Sequence, residues 1–154
     1  MKIGVISDTH GFLDPAVEKV FKGVKHILHA GDVGDPMIPL ELQFVAPVTT
    51  VLGNNDLGMT FRETEVVTVA NKKFLIHHIV NPFALTEKLL LRIKRERPDA
   101  VIFGHTHKRF CELVDGILFF NPGYSGAAKF GTDRSVAILT VDERGITPEF
   151  VTLR

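Results

Sequence analysis

Short apolar runs rich in β-branched residues recur along the chain and stop abruptly at polar residues. The first, Ile3 to Ser7, reads as a buried strand. Asp14-Pro15 then supplies a helix cap and a first-turn proline, predicting a helix to about Phe21. A second strand is expected from about His26 to His29, and the two prolines of the Pro36 to Phe44 segment allow at best a short helix. Val48 to Leu52 predicts a third strand. Glu65 to Val69 and Phe74 to His77 form a further pair, joined by a turn at Asn71-Lys72. Asn81-Pro82 marks the start of the clearest helix, where Leu85, Leu89 and Ile93 fall on one face among charged residues. After Pro98, Ala100 to Phe103 reads as a strand. The remainder predicts strands near Cys111 to Val114, Ile117 to Asn121, Ser135 to Val141 and Thr147 to Leu153.

Strands alternate with helices in the first half, and the second half is mostly strand. The alternating part implies parallel strands with helices outside; the rest implies a more antiparallel sheet. So many strands exceed one sheet of a domain this size. The expected fold is α/β, with two mixed sheets face to face and helices on their outer faces. No repeat, low-complexity tract or linker divides the chain, so residues 1–154 are read as a single domain.

Composition narrows the function. Of 154 residues, 45% are apolar and 23% charged, as in an ordinary globular protein, and eighteen basic side chains balance eighteen acidic ones. With no net charge there is no general field to draw in nucleic acid or an anionic membrane. The lone cysteine, Cys111, excludes an internal disulfide and fits a reducing compartment. The apolar start is too short for a signal peptide, and no run reaches the length of a membrane span. A cytoplasmic protein is expected.

The candidate chemistry lies where apolar runs end. Five such places carry ligand-type residues: Asp8-x-His10, Gly31-Asp32, Gly53-Asn54-Asn55-Asp56, His77-His78 and Gly104-His105-Thr106-His107. In open α/β sheets, ligands bind beyond the carboxyl ends of parallel strands. Each piece alone has a plain reading: Asp8 as a turn former, Asn54 in a turn, His10 on the surface, His77 as a hydrogen-bonded core residue. Jointly these readings fail, because five of the seven histidines stand in these segments. Two Asp, one Asn and four His, without cysteine, suit transition metals better than calcium. They exceed what one ion uses. With one Asp bridging they would serve two ions and the hydroxide between them, the arrangement of two-metal phosphate chemistry.

The ordered series Asp-x-His, Gly-Asp, Gly-Asn-x-Asp, His and Gly-His-Thr-His resembles the calcineurin-like metallophosphoesterases. The short length and the Asn121-Pro122-Gly123 segment are similar to the small prokaryotic phosphodiesterases among them. The resemblance runs from Met1 to about Ile138. It implies a four-layer α-β-β-α sandwich that hydrolyses a small phosphodiester by in-line attack of a metal-bridging hydroxide. It also implies one metal on Asp8, His10, Asp32 and His107 and a second on Asp32, Asn54, His77 and His105, with Asp32 bridging. Two divalent transition-metal ions are thus expected, manganese first, with zinc, iron or nickel as alternatives.

Two departures matter. Asn55 stands where many members have a histidine that stabilises the transition state or protonates the leaving group. His77-His78 replaces the usual His-Gly. His77 aligns as the ligand, leaving His78 to point elsewhere or exchange roles with it, so Asn55 and His78 are the candidate catalytic residues. Asp56 and His29 are expected to support the ligand loops. Lys108, Arg109, Lys129 and Arg134 could grip the substrate, against the plainer reading of surface charge, and Cys111 is expected in the core. The alternative function is an inert scaffold on the same fold, as the retromer subunit is; complete ligand positions favour the enzyme. A nuclease is disfavoured by the neutral charge, and a homo-oligomer is allowed.

Overall fold

Every run predicted as a strand is one in the computed structural model, which describes residues 1–154. The order is β1 (Lys2–Ile6), α1 (Ala16–Val20), β2 (His26–His29), α2 (Met37–Leu42), β3 (Val48–Thr50), β4 (Thr64–Val69), β5 (Lys72–His77), α3 (Glu87–Glu96), β6 (Ala100–Ile102), β7 (Phe110–Val114), β8 (Ile117–Asn121), β9 (Ser135–Asp142) and β10 (Gly145–Thr152). The strands form two five-stranded sheets, ordered β10-β9-β1-β2-β3 and β4-β5-β6-β8-β7. Strands β1, β2 and β3 are parallel, as are β5, β6 and β8; antiparallel strands close the rest of each sheet.

Period-two alternation along the central strands makes the layers. Ile3 and Val5 of β1 meet Phe74 and Ile76 of β5 and Phe120 of β8 in a core between the sheets. The alternate residues face outward. Ile6, Ile27 and Val136 pack with Val17 and Phe21 of the first helical segment and Ile38 and Leu42 of α2. Leu75, Val101 and Phe119 pack beneath Leu89 and Ile93 of α3. The result is the expected α-β-β-α sandwich. No helix is long and apolar enough to cross a membrane.

Local chemistry shifts three of the sequence expectations. The helix begins at Glu87 rather than at Asn81-Pro82, because Thr86 caps it: its hydroxyl accepts the Leu89 N–H at 3.3 Å. Asn81 instead heads a turn, its Oδ1 accepting the Phe83 N–H at 3.0 Å. The β4–β5 turn falls at Ala70-Asn71, where φ is 51° and 63°, the two left-handed residues that a tight hairpin requires. Cys111 is not core: it is exposed on β7, an edge strand.

Phe120 is fully buried between the sheets and stacks on Phe150 at 5.0 Å between centroids, whereas Phe44 is 94% exposed. Phe120→Ala should therefore cost about 3–5 kcal/mol in urea unfolding, and Phe44→Ala should stay within roughly 0.5 kcal/mol. Similar losses for the two would contradict the two-sheet core.

Candidate metal centre

The carboxyl ends of the parallel strands deliver the ligand-type segments to one place: Asp8 follows β1, Asp32 β2, Asn54 β3, His78 β5 and His105 β6. Asp8 is fully buried and Asp32 is nearly so. Asp8 Oδ2 accepts from Ser7 Oγ at 2.7 Å and from the His105 N–H at 3.1 Å, while its Oδ1 has no partner. His78 Nδ1–H donates to the Ala30 carbonyl at 2.7 Å. A neutral ring with that tautomer presents a bare lone pair at Nε2. That nitrogen is buried without a partner, 3.3 Å from Asp32 Oδ2 and 3.9 Å from Asp8 Oδ1.

His10 and His107 complete the cluster. His10 Nε2 lies 3.6 Å from both Asp8 Oδ1 and Asp32 Oδ2. His107 Nε2 is 3.4 Å from Asp8 Oδ1 and 3.3 Å from His10 Nε2. Two overlapping groups with metal-ligand spacing result: Asp8, His10 and His107, and Asp8, Asp32 and His78. Asn54 and His105 stand outside these groups at the rim, with Asn54 Oδ1 3.1 Å from His105 Nδ1 and the His105 ring 5.4 Å from that of His78.

His78, not His77, enters the cluster. Strand alternation is the reason: Phe74 and Ile76 face the other sheet, and His78 continues that face beyond the end of β5. His77 shares the face of Leu75, and its Nδ1 pairs with Thr64 Oγ1 at 2.8 Å. Burial holds the His77 imidazole below its ordinary pKa. The catalytic expectations move as well. The Nδ1 proton of His78 is held by the Ala30 carbonyl, turned away from the cluster. Asn55 clamps Asp32, its backbone N–H on Oδ1 and its side-chain Nδ2 on Oδ2, each at 2.9 Å.

The supporting residues act mainly on backbone. Asp56 accepts from the N–H groups of Gly53 (2.8 Å), Val33 (3.1 Å) and Gly34 (3.0 Å), tying the Asn54 loop to the Asp32 loop. His29 Nδ1 accepts the Gly31 N–H at 3.1 Å; its Nε2–H then donates to Thr9 Oγ1 at 3.0 Å, and the Thr9 hydroxyl donates to Val33 O. Among the cations, Arg134 is a buried partner of Asp14 at 2.7 Å, and Arg109 is held by Ser135 and Thr152. Lys129 lies over the Tyr124 ring at 4.6 Å, and that ring sits 4.9 Å from the ring of His107. Lys108 stands beside His107 on the wall of a polar cavity.

Sequence reading missed Ser7, Thr9 and Ser125. It noted Asn121 only as part of a wall or turn. Asn121 Nδ2 holds Gly104 O (3.0 Å) and Thr106 Oγ1 (3.1 Å), and Ser125 Oγ donates to Ser7 O at 2.7 Å. The available signal was Ser7 and Thr9 on either side of Asp8 and Thr106 between His105 and His107; Ser125 adjoins no ligand motif.

The backbone is bent hard here. Asp8, His10, Asp32, His105 and His107 all have positive φ, between 45° and 73°. Each costs on the order of 1 kcal/mol and persists because hydrogen bonds over-determine it. Two glycines leave the room: a β-carbon at Gly53 would fall on the backbone N and Oδ1 of Asp32, and one at Gly104 on Ser7 Oγ, 2.6 Å from Asp8 Oδ2.

Burial alone would raise the Asp8 carboxyl, but the neighbouring His10 ring, the Ser7 hydroxyl and the imidazoles around them hold it below its ordinary value. The nearby Asp8 carboxylate raises His10, against burial, while burial lowers His107. Buried carboxylate oxygen and imidazole lone pairs aimed at one another need positive charge between them. Carboxylate, amide and imidazole donors without thiolate fit a divalent transition metal.

The model of the calcineurin-like phosphoesterase superfamily domain matches residues 1–144. A probable metallophosphoesterase of Methanothermobacter thermautotrophicus is 35% identical over 98% of this chain and 92% of its own. A phosphodiesterase of Methanocaldococcus jannaschii is 32% identical over 80% of this chain and 83% of its own. Among solved structures, wild-type Vps29 from Entamoeba histolytica complexed with zinc superposes with a TM-score of 0.74 at 25% identity, covering 99% of both chains.

His29 generates a pH prediction. Burial lowers its imidazole from 6.5 to about 4, so the fold favours the neutral ring. That contribution is complete above pH 6.5 and is lost as pH falls toward about 4. Between pH 7 and 4.5 the metal-free protein should lose about 2–3 kcal/mol more than His29→Asn does. Urea unfolding of both across that range checks it; equal losses would contradict a neutral buried His29.

Proposed function

The chain belongs to the calcineurin-like phosphoesterase superfamily, and from that premise we propose that it is a phosphodiesterase using two divalent transition-metal ions, manganese first among them. The observation that carries this reading is the pair of buried, unpartnered atoms, Asp8 Oδ1 and His78 Nε2, facing each other beside Asp32. Asp8, His10, Asp32 and His107 would hold one ion; Asp32, Asn54, His78 and His105 would hold the other. Bound there, such ions acidify water and offset negative charge on phosphoryl oxygens.

The chain's own residues set the geometry. Asp32 Oδ2 lies between His10 and His78 and is suited to bridging. Asn55 keeps that carboxylate in register, and His29 and Asp56 keep its loop closed. In this reading neither the Asn55 amide nor His78, whose Nδ1–H is held by Ala30, serves as a general acid, a role that typically contributes about 10²–10⁴-fold in rate. Diesters with acidic leaving groups should therefore be the favoured substrates. The phosphodiesterase among the relatives supports the diester assignment.

A second reading, a partner-binding protein on the same fold, draws on the likeness to Vps29. Turnover separates the two. Manganese-loaded protein should hydrolyse bis(p-nitrophenyl) phosphate faster than p-nitrophenyl phosphate and lose activity on chelation. His78→Ala should reduce kcat/KM at least about 100-fold, as loss of a ligand does, and His77→Ala only severalfold. Absence of turnover with every metal tried would favour the binding reading, and equal losses in the two variants would overturn the assignment of His78.

A further inference from the structure

Two cavities flank the cluster, and the residues that line them differ. One, of about 440 Å³, has Asn54, His77, His78 and Glu63 on its wall together with the apolar Leu52, Leu57, Met59 and Ile79. The other, of about 430 Å³, begins at His107 and has no apolar residue; Thr106, Lys108, Thr132 and Asp133 line it. A single exposed leucine carries little meaning. Here Leu57 is 89% exposed and Ile79 49% exposed, and they share a wall with two further apolar side chains beside ligand-type residues.

Hydrogen bonds also brace that wall. Asp56 holds the Gly53 N–H, the Met59 N–H reaches the Asp56 carbonyl at 3.3 Å, and the Leu52 N–H donates to the Arg62 carbonyl at 2.8 Å. These bonds tie the backbone that carries Leu52, Leu57 and Met59 to the ligand loop.

We propose that the site sorts the two ester groups of a phosphodiester by polarity, seating an aryl or alkyl group against Leu57 and Ile79 and a hydroxyl-bearing or anionic group against Lys108 and Thr132. The substrate class is an asymmetric phosphodiester, and the assignment rests on the phosphodiesterase reading. Lys108 supplies charge and Thr106 and Thr132 hydroxyls on the polar side, where an aryl group would leave them unpaired. The leucine wall removes apolar area from water on the other.

Binding of phenylphosphonate and methylphosphonate to manganese-loaded protein, measured by calorimetry, needs no turnover. Phenylphosphonate should bind about tenfold more tightly, and Leu57→Asp should reduce that preference to roughly twofold. In kinetics, Lys108→Ala should lower kcat/KM severalfold for thymidine 5′-(p-nitrophenyl) phosphate relative to methyl p-nitrophenyl phosphate. Phenyl preference without any hydrolysis would defeat the enzyme reading and leave the cavity assignment standing. No preference in the parent, or a preference that survives Leu57→Asp, would overturn the assignment. So would a Leu57→Asp variant whose only change is a smaller particle in gel filtration, which would make the wall a contact between copies of the chain.

Discussion

Asp8 and Asp32 are buried together; Asn55 donates to both Asp32 oxygens, while Asp8 Oδ1 and His78 Nε2 are left without a hydrogen-bond partner. Leaving such atoms without positive charge is costly, because each has given up water and gained no donor. Much of the surrounding architecture holds this unfavourable arrangement in place. Ser7 and the His105 N–H secure one Asp8 oxygen, Asn55 secures Asp32, and Ala30 fixes the tautomer of His78. A further ring of hydrogen bonds, from Asp56, His29, Thr9 and Asn121, braces loops in which five ligand-type residues take left-handed backbone. These braces hold the ligand-type side chains in a defined arrangement, as a preorganised metal site requires.

The strands were legible because central strands of a sheet covered on both faces read as near-continuous apolar runs, as in β1, β5 and β9. Side-chain alternation along β5 puts Phe74, Ile76 and His78 on one face, so His78 reaches the cluster, whereas alignment with the family's motif selects His77. The start of α3 was misplaced because Asn81-Pro82 and Thr86 are both capping signals, and only Thr86 precedes a run that buries Leu89 and Ile93. Cys111 reads as core from its place within a strand, but that strand lies at the edge of its sheet and leaves the thiol exposed.

The bracing residues were less legible. Hydroxyl and amide side chains such as Thr9, Ser125 and Asn121 are compatible with turns anywhere, and their partners lie far along the chain: Ser125 meets Ser7 across 118 positions. Positive φ at Asp8, His10, Asp32, His105 and His107 is hard to read from sequence, because Asp and His enter left-handed backbone more readily than most residues yet still adopt it only in a minority of places. Asn55 was read for what its amide lacks, a proton to give. Its place shows what the amide supplies, two hydrogen bonds to the carboxylate at the centre of the cluster. The same loop continues into Leu57 and Met59, so it connects control of Asp32 to the apolar wall beside it.

The account stands on the need for cations between the buried carboxylates and imidazoles. Chelated protein dialysed against excess manganese and then against metal-free buffer, with metal and protein quantified together, measures that need directly. Two ions retained per chain is the predicted result. One ion, or none, would contradict the paired site and with it the role given to Asp32.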